Sequence, residues 1–198
     1  MKKLNEQKKS IIFISLWSLL TVLLWQFQEG MYILYPFTVL GTWFHEMGHG
    51  IMAILLGGNF LKLEIFPDGS GVATHSGDLF LGGIGQAIVA AAGPLGPTFA
   101  GALFIISSKT PKYAKWCLLA LSFILIVSGI IWVRSLFGIL VIIVFGVLTG
   151  WVGIKGKPNI QKNVLLFLGV QACLSVYLSV DYLLSASADL EIGRMSSD

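Results

Sequence analysis

A chain of 198 residues that is 56% hydrophobic and only 12% charged, with a mean hydropathy of +0.84, lies outside the range of soluble globular domains. Its formal charge of +3 comes largely from lysines at the N-terminus and between apolar runs, so it speaks to orientation in a bilayer and not to nucleic acid. Cys117 and Cys173 stand singly in apolar runs without CxxC spacing, which implies no disulfide framework and reads both as small core residues.

The basic start MKKLNEQKKS leads into IIFISLWSLLTVLLWQF. That run is too long for a secretory signal and no small-residue cleavage site follows, so residues 11–27 are expected to remain as a signal anchor. The side holding Lys2, Lys3, Lys8 and Lys9 is then cytoplasmic. Gln28-Glu29-Gly30 predicts a tight external turn, after which residues 31–57 predict a second span returning toward the cytoplasm.

That second span carries His45-Glu46-Met47-Gly48-His49 in its inner half. Residues four apart lie one turn above another on a helix face, so His45 and His49 can bring two imidazole nitrogens to one metal ion. Glu46 points about a hundred degrees around the helix from His45, within reach of a water at that metal without ligating it. This is the HExxH spacing of zinc hydrolases. The competing interpretation is a buried polar network that only holds helices together. Three ionisable side chains within five residues, each costing on the order of 2.5 to 3.5 kcal/mol at the centre of an inserted helix, favour the metal.

Gly57-Gly58 ends the span, and Leu61-Lys62-Leu63-Glu64-Ile65 alternates with period two before Pro67-Asp68-Gly69-Ser70-Gly71 turns the chain into Val72-Ala73-Thr74. A small β-hairpin at the membrane surface is expected, with a plain loop as the alternative. Its edge could pair with an extended peptide and hold it for cleavage. His75 follows directly, and a lone histidine there reads more readily as solvated than as a ligand. Residues 79–107 are apolar but interrupted by Gly93-Pro94 and Gly96-Pro97, which predict either a loosened helix against a cavity or a simple packing kink. Ala90, Ala91 and Ala92 permit close approach to the second span. Further spans are expected at about 114–132, 135–154 and 163–184. Six simple crossings would leave the lysine-bearing links at 109–115 and 155–162 outside, against the positive-inside rule, unless the Gly-Pro segment is re-entrant.

Catalytic zinc usually has three protein ligands and one open position. In the remaining spans Asp181 is the clear candidate to complete a His-His-Asp set, unless it simply lies at the interface. Asp198, in Ser196-Ser197-Asp198, is its rival.

HEMGHG within an apolar helix, then a hairpin, then AAGPLGPTFAGALF resembles the site-2 protease family of intramembrane zinc metallopeptidases, and among them small bacterial members without a PDZ domain. The likeness is strong over residues 31 to about 107. It implies an all-α polytopic membrane protein of about six transmembrane helices with a small membrane-surface β-hairpin. Residues 1–198 would form a single integral membrane domain, its metalloprotease-like core being about 31–107 plus the last span 163–184. By the resemblance, His45 and His49 bind Zn2+ and Glu46 is the catalytic glutamate. The family's third ligand comes from an Asp-Gly in a later span, and no later span here contains one, so Asp181 and Asp198 both stay open. The implied activity is a zinc-dependent endopeptidase cutting transmembrane segments of membrane protein or peptide substrates. It would be a multi-pass protein of the bacterial plasma membrane, with the lipid bilayer as its surroundings and no nucleic-acid partner. The alternatives are a catalytically silent membrane metal-binding or scaffold protein, and, with less support, a small transporter using His45, Glu46, His49 and Asp181 as an ion path. No inverted repeat supports the latter.

Overall fold

Backbone polar groups in runs this apolar find partners within their own segment, and most of the chain is accordingly helical. The computed structural model describes secondary structure for residues 2–195 and side-chain surroundings for residues 12–176. Among the described residues there are six helices and one hairpin. In chain order they are α1 (Lys2–Leu24), α2 (Gln28–Leu55), β1 (Asn59–Ile65), β2 (Gly71–Ser76), α3 (Gly83–Ser107), α4 (Pro111–Ile131), α5 (Leu136–Lys155) and α6 (Pro158–Met195). Helices α3, α4 and α5 are each long and apolar enough to cross a membrane, and α1 and α2, meeting at a 120° bend, form a fourth candidate. The expected last span, 163–184, lies in α6 and continues past the described side chains.

Two local expectations change. The chain turns at 25–27 and α2 begins at Gln28, so Gln28-Glu29-Gly30 is the first turn of a helix and not a loop. Gly30 is small because a Cβ there would lie 2.7 Å from the Leu24 carbonyl carbon, which lets α2 start directly against the end of α1. The Gly-Pro pairs do not interrupt α3, which runs unbroken from Gly83 to Ser107. Their glycines serve approach: a Cβ on Gly96 would sit 2.6 Å from the Phe44 carbonyl oxygen, and one on Gly48 would run into the Ala92 carbonyl. Helices α2 and α3 thus touch backbone to backbone, as small residues allow in membrane bundles.

Packing continues outward from this pair. Helix α3 lies against both α2 and α6, α4 pairs with α5, and α1 rests on α6 and α2. The buried Trp43 donates its indole N–H to Ser128 Oγ at 3.1 Å, tying α2 to α4, and Gln171 Nε2 donates to Thr21 Oγ1 at 2.7 Å, tying α6 to α1. A buried polar side chain in this setting is costly without such a partner.

The hairpin forms as the alternation predicts, antiparallel, with Leu63 opposite Ala73, Ile65 opposite Gly71 and an irregularity between Phe60 and Lys62. It does not cap the end of α2 but folds back beside it. A Cβ on Gly50 would enter the Phe60 ring, Gly71 lies against Thr42 and Glu46, Thr42 Oγ1 donates to the Gly69 carbonyl at 2.6 Å, and the Tyr35 hydroxyl donates to the Pro67 carbonyl at 2.6 Å. The strands therefore run along the helix from the level of residue 50 to that of residue 35. Leu63 and Ile65 are fully buried on the face turned to the core.

Candidate metal centre

His45 and His49 stack one turn apart on α2, with ring centroids 4.8 Å apart and planes at 72°. Both point at α3. A Cβ on Gly93 would meet His49 Nε2 and, at 2.7 Å, His45 Nε2, so both nitrogens lie within 2.7 Å of one point and less than 5.4 Å from each other. His49 Nδ1 is 2.8 Å from the Val89 carbonyl oxygen. A carbonyl only accepts, so Nδ1 carries the proton and Nε2 keeps its lone pair, a hydrogen bond of the kind that orients metal-binding histidines. His45 Nδ1 is buried and, among the described residues, has no hydrogen-bond partner. Two converging imidazole nitrogens, one of them with its tautomer fixed, fit the donor set that zinc takes.

Glu46 is only 8% exposed and lies on the adjacent side of α2, beneath the start of β2. Gly71 approaches so closely that a Cβ there would be 3.0 Å from Glu46 Cγ, and the backbone of Ala73 hydrogen-bonds to the carboxylate. A cleft of about 670 Å³ opens above, lined by Glu46 and His49 from α2, by Gly71, Ala73 and His75 among others from β2, and by Gln86, Val89 and Ala90 from α3. Pro94 has no N–H to give the Ala90 carbonyl, which leaves one helical acceptor without its usual donor on that wall.

The edge of β2 facing this cleft is chemically unusual for a membrane protein. On the far side, Leu63 N–H donates to the Trp132 carbonyl at 2.8 Å, Arg134 N–H donates to the Leu63 carbonyl at 2.9 Å, and Ile65 N–H donates to Ser135 Oγ at 2.9 Å. Leu63 and Ile65 thus direct their polar groups away from β2, so their partners Ala73 and Gly71 occupy non-hydrogen-bonded positions and turn theirs outward. Among the described residues no third strand covers that edge.

The structure turns His45 and His49 toward one point, with Glu46 on the adjacent side of α2. It brings no third His, Cys, Asp or Glu to a metal-binding distance among the described residues, while Asp181 and Asp198 lie outside them. His75 and Gln86, which sequence reasoning set aside or passed over, both line the cleft. His75 shares a strand face with Ala73 and Gly71, a placement that the period-two alternation implies once β2 is extended past Thr74.

The apolar helices are those of a membrane protein, and within them His45 and His49 turn toward one point while Glu46 and His49 line a cleft beside the β2 edge. Residues 13–197 match the family described as Peptidase M50B-like, and the chain belongs to that family, that of the site-2 proteases. No curated protein and no solved structure matches the chain.

Proposed function

We propose that the chain is a zinc-dependent intramembrane endopeptidase that hydrolyses peptide bonds in transmembrane segments of membrane proteins. The observation that carries this proposal is the outward-facing backbone of Gly71 and the outward-facing Ala73 carbonyl beside Glu46 and His49, with the Ala73 N–H engaged by Glu46. Unpaired backbone at membrane depth is tolerated where it lines a cavity, and a strand edge is a template for another extended segment. A substrate helix hides its carbonyls in internal hydrogen bonds. Once unwound along β2, it exchanges those bonds for ones to Gly71 and to the Ala73 carbonyl, with its own carbonyls laid across the face that holds Glu46.

His45 and His49 would hold the zinc, which when bound activates water and polarises the scissile carbonyl. Glu46 takes the proton from the attacking water and returns it to the leaving amine, acting first as base and then as acid. Its burial between α2 and β2 keeps its carboxylate in a fixed place through both transfers. Asp181 is the proposed third ligand, with Asp198 the rival. In the described part of α6, Cys173 lies at Gly101 of the antiparallel α3 and Ser175 lies at Gly41 of α2. Advancing along α6 from Ser175 toward Asp181 goes in the same direction as advancing along α2 from Gly41 toward His45 and His49, which supports Asp181.

Glu46→Gln is expected to abolish cleavage of a membrane-peptide substrate while the protein keeps its zinc, whereas His45→Ala or His49→Ala loses the metal. Zinc content and cleavage are measured on the same detergent-purified preparations. Retained cleavage by the Glu46→Gln protein overturns the scheme. A parent protein that holds stoichiometric zinc but cuts no membrane peptide would instead place it with metal-binding proteins that are catalytically silent.

A further inference from the structure

We propose that the link between α4 and α5, residues 132–135, is a positioning element for the cleavage reaction, setting the place of the β2 edge over Glu46. This rests on the strand-pairing function proposed above. Four contacts join the link to β1. Two are the backbone bonds of Leu63 to Trp132 and Arg134, the third is Ile65 N–H to Ser135 Oγ at 2.9 Å, and the fourth is Trp132 Nε1 to the Phe60 carbonyl at 3.2 Å. The Trp132 and Phe60 rings also stack, with centroids 5.2 Å apart and planes at 21°.

The link is itself held fast. Arg134 donates to the carbonyls of Ile130, Ile131 and Val133, closing the C-terminal end of α4, and Val133 is fully buried against Leu63. On its other face β1 reaches the metal helix, because the Phe60 ring fills the space that Gly50 leaves open next to His49. Tyr35 and Thr42 tie only the turn of the hairpin to α2. Between the turn and Phe60 the link holds the outer edge of β1, while β2 pairs with β1 along one edge and meets α2 at Thr42 and Glu46. A shift of β1 away from the link carries Gly71 and Ala73 with it, and a misplacement of about 1 Å in a positioning group is enough to cost on the order of a hundredfold in rate.

The paired variant Ser135→Ala with Trp132→Phe removes two donors from the clamp and keeps the ring stack. In the full-length protein it is expected to bind zinc as the parent does, while amides of 60–75 exchange with deuterium about tenfold faster, the order expected for losing one or two modest hydrogen bonds. Cleavage then supplies the second readout. Substrates N-methylated at single backbone positions around the scissile bond are cut more slowly by the parent wherever the lost N–H pairs with β2. In the variant, KM for the unmodified substrate rises and the penalty for methylation shrinks, because the pairing it blocks is already impaired. Ser135→Thr, which keeps the hydroxyl, restores both.

Unchanged exchange in the hairpin overturns the proposal. So does a full methylation penalty in the variant, or a parallel loss of zinc, which would make the link a support of the metal helix. If the parent cleaves nothing, the protease function fails by itself, and hairpin exchange still decides whether the link braces the strand.

Discussion

Gly93→Ala tests whether the two imidazoles really form one site. A Cβ at Gly93 falls 2.7 Å from His45 Nε2 and closer still to His49 Nε2 and Cε1, whereas ordinary van der Waals contact begins at 3.4 Å. Even the more distant ring must retreat by about 0.7 Å, and His49 has little freedom because its Nδ1 is tied to the Val89 carbonyl at 2.8 Å. Overpacking of this kind costs about 1–3 kcal/mol, and disturbing merely the outer shell of a metal site costs about 10–100-fold in affinity. Gly93→Ala is therefore expected to weaken zinc binding at least tenfold, read by competition with a chelating indicator in detergent. Gly146→Ala is the control. Its Cβ would meet Ile126 Cγ1 at 2.7 Å between α5 and α4, so it loses stability on a similar scale and keeps its zinc. A Gly93→Ala protein that binds zinc as tightly as the parent refutes the convergence of His45 and His49 on a single ion.

Two further outcomes follow from contacts at the hairpin. Gly71→Ala places a methyl 2.5 Å from Thr42 Cγ2 and 3.0 Å from Glu46 Cγ, so it is expected to lower kcat by about tenfold or more through displacement of the carboxylate, with zinc retained; an unaltered kcat in steady-state assays counts against Glu46 working from beneath β2. At the turn, the Ser70 hydroxyl at 2.7 Å and the Ser70 N–H at 2.9 Å both donate to Asp68, holding its carboxyl below the ordinary aspartate value of 3.8. The lowered pKa means that the turn is favoured by this ionisation above pH 3.8 and loses that support as pH falls through the folded value. Carbon-detected NMR titration should find the Asp68 midpoint below 3.8 and moving up toward it in Ser70→Ala, and a midpoint at or above 3.8 in the parent would contradict the two hydrogen bonds.

The chemistry was more legible in the sequence than the architecture that serves it. His45, Glu46 and His49 declare themselves because helix periodicity is local: spacing alone puts the imidazoles on one face. The alternation from Leu61 to Ile65 and the Asp68-Gly69 turn were likewise sufficient for a hairpin. What spacing does not carry is where a hairpin lies. Its position beside α2 depends on Phe60 reaching Gly50 and on Tyr35 and Thr42 reaching the turn, all contacts between residues distant in sequence. The Gly-Pro pairs read as interruptions because proline's missing N–H is a local fact, while the reason for the glycines, the backbone of α2 lying against them, is not. His75 is exposed, as a histidine after the hairpin is expected to be, and the pairing of Phe60 with His75 adds that β2 extends far enough to bring it to the cleft.

In lipid, apolar side chains gain little by meeting one another, so helices are placed by close backbone contact and by polar groups that need partners. Here both devices converge on the same turn of α2. Gly48, Gly93 and Gly96 let α3 approach until the Ala92 and Phe44 carbonyls meet the facing glycines and the two imidazoles lie against Gly93. On the opposite side the Leu63 N–H and carbonyl and the Ile65 N–H are satisfied by the 132–135 link, while the backbone of Gly71 and the Ala73 carbonyl are left to the cleft. A sheet that served only to pack would gain by satisfying both edges, since each buried unpaired backbone group costs about 1–3 kcal/mol. Satisfying one edge and leaving the other open beside Glu46 makes sense if the open edge is completed by a strand that arrives and departs, and the residues to which that strand would be delivered are the carboxylate and the paired imidazoles.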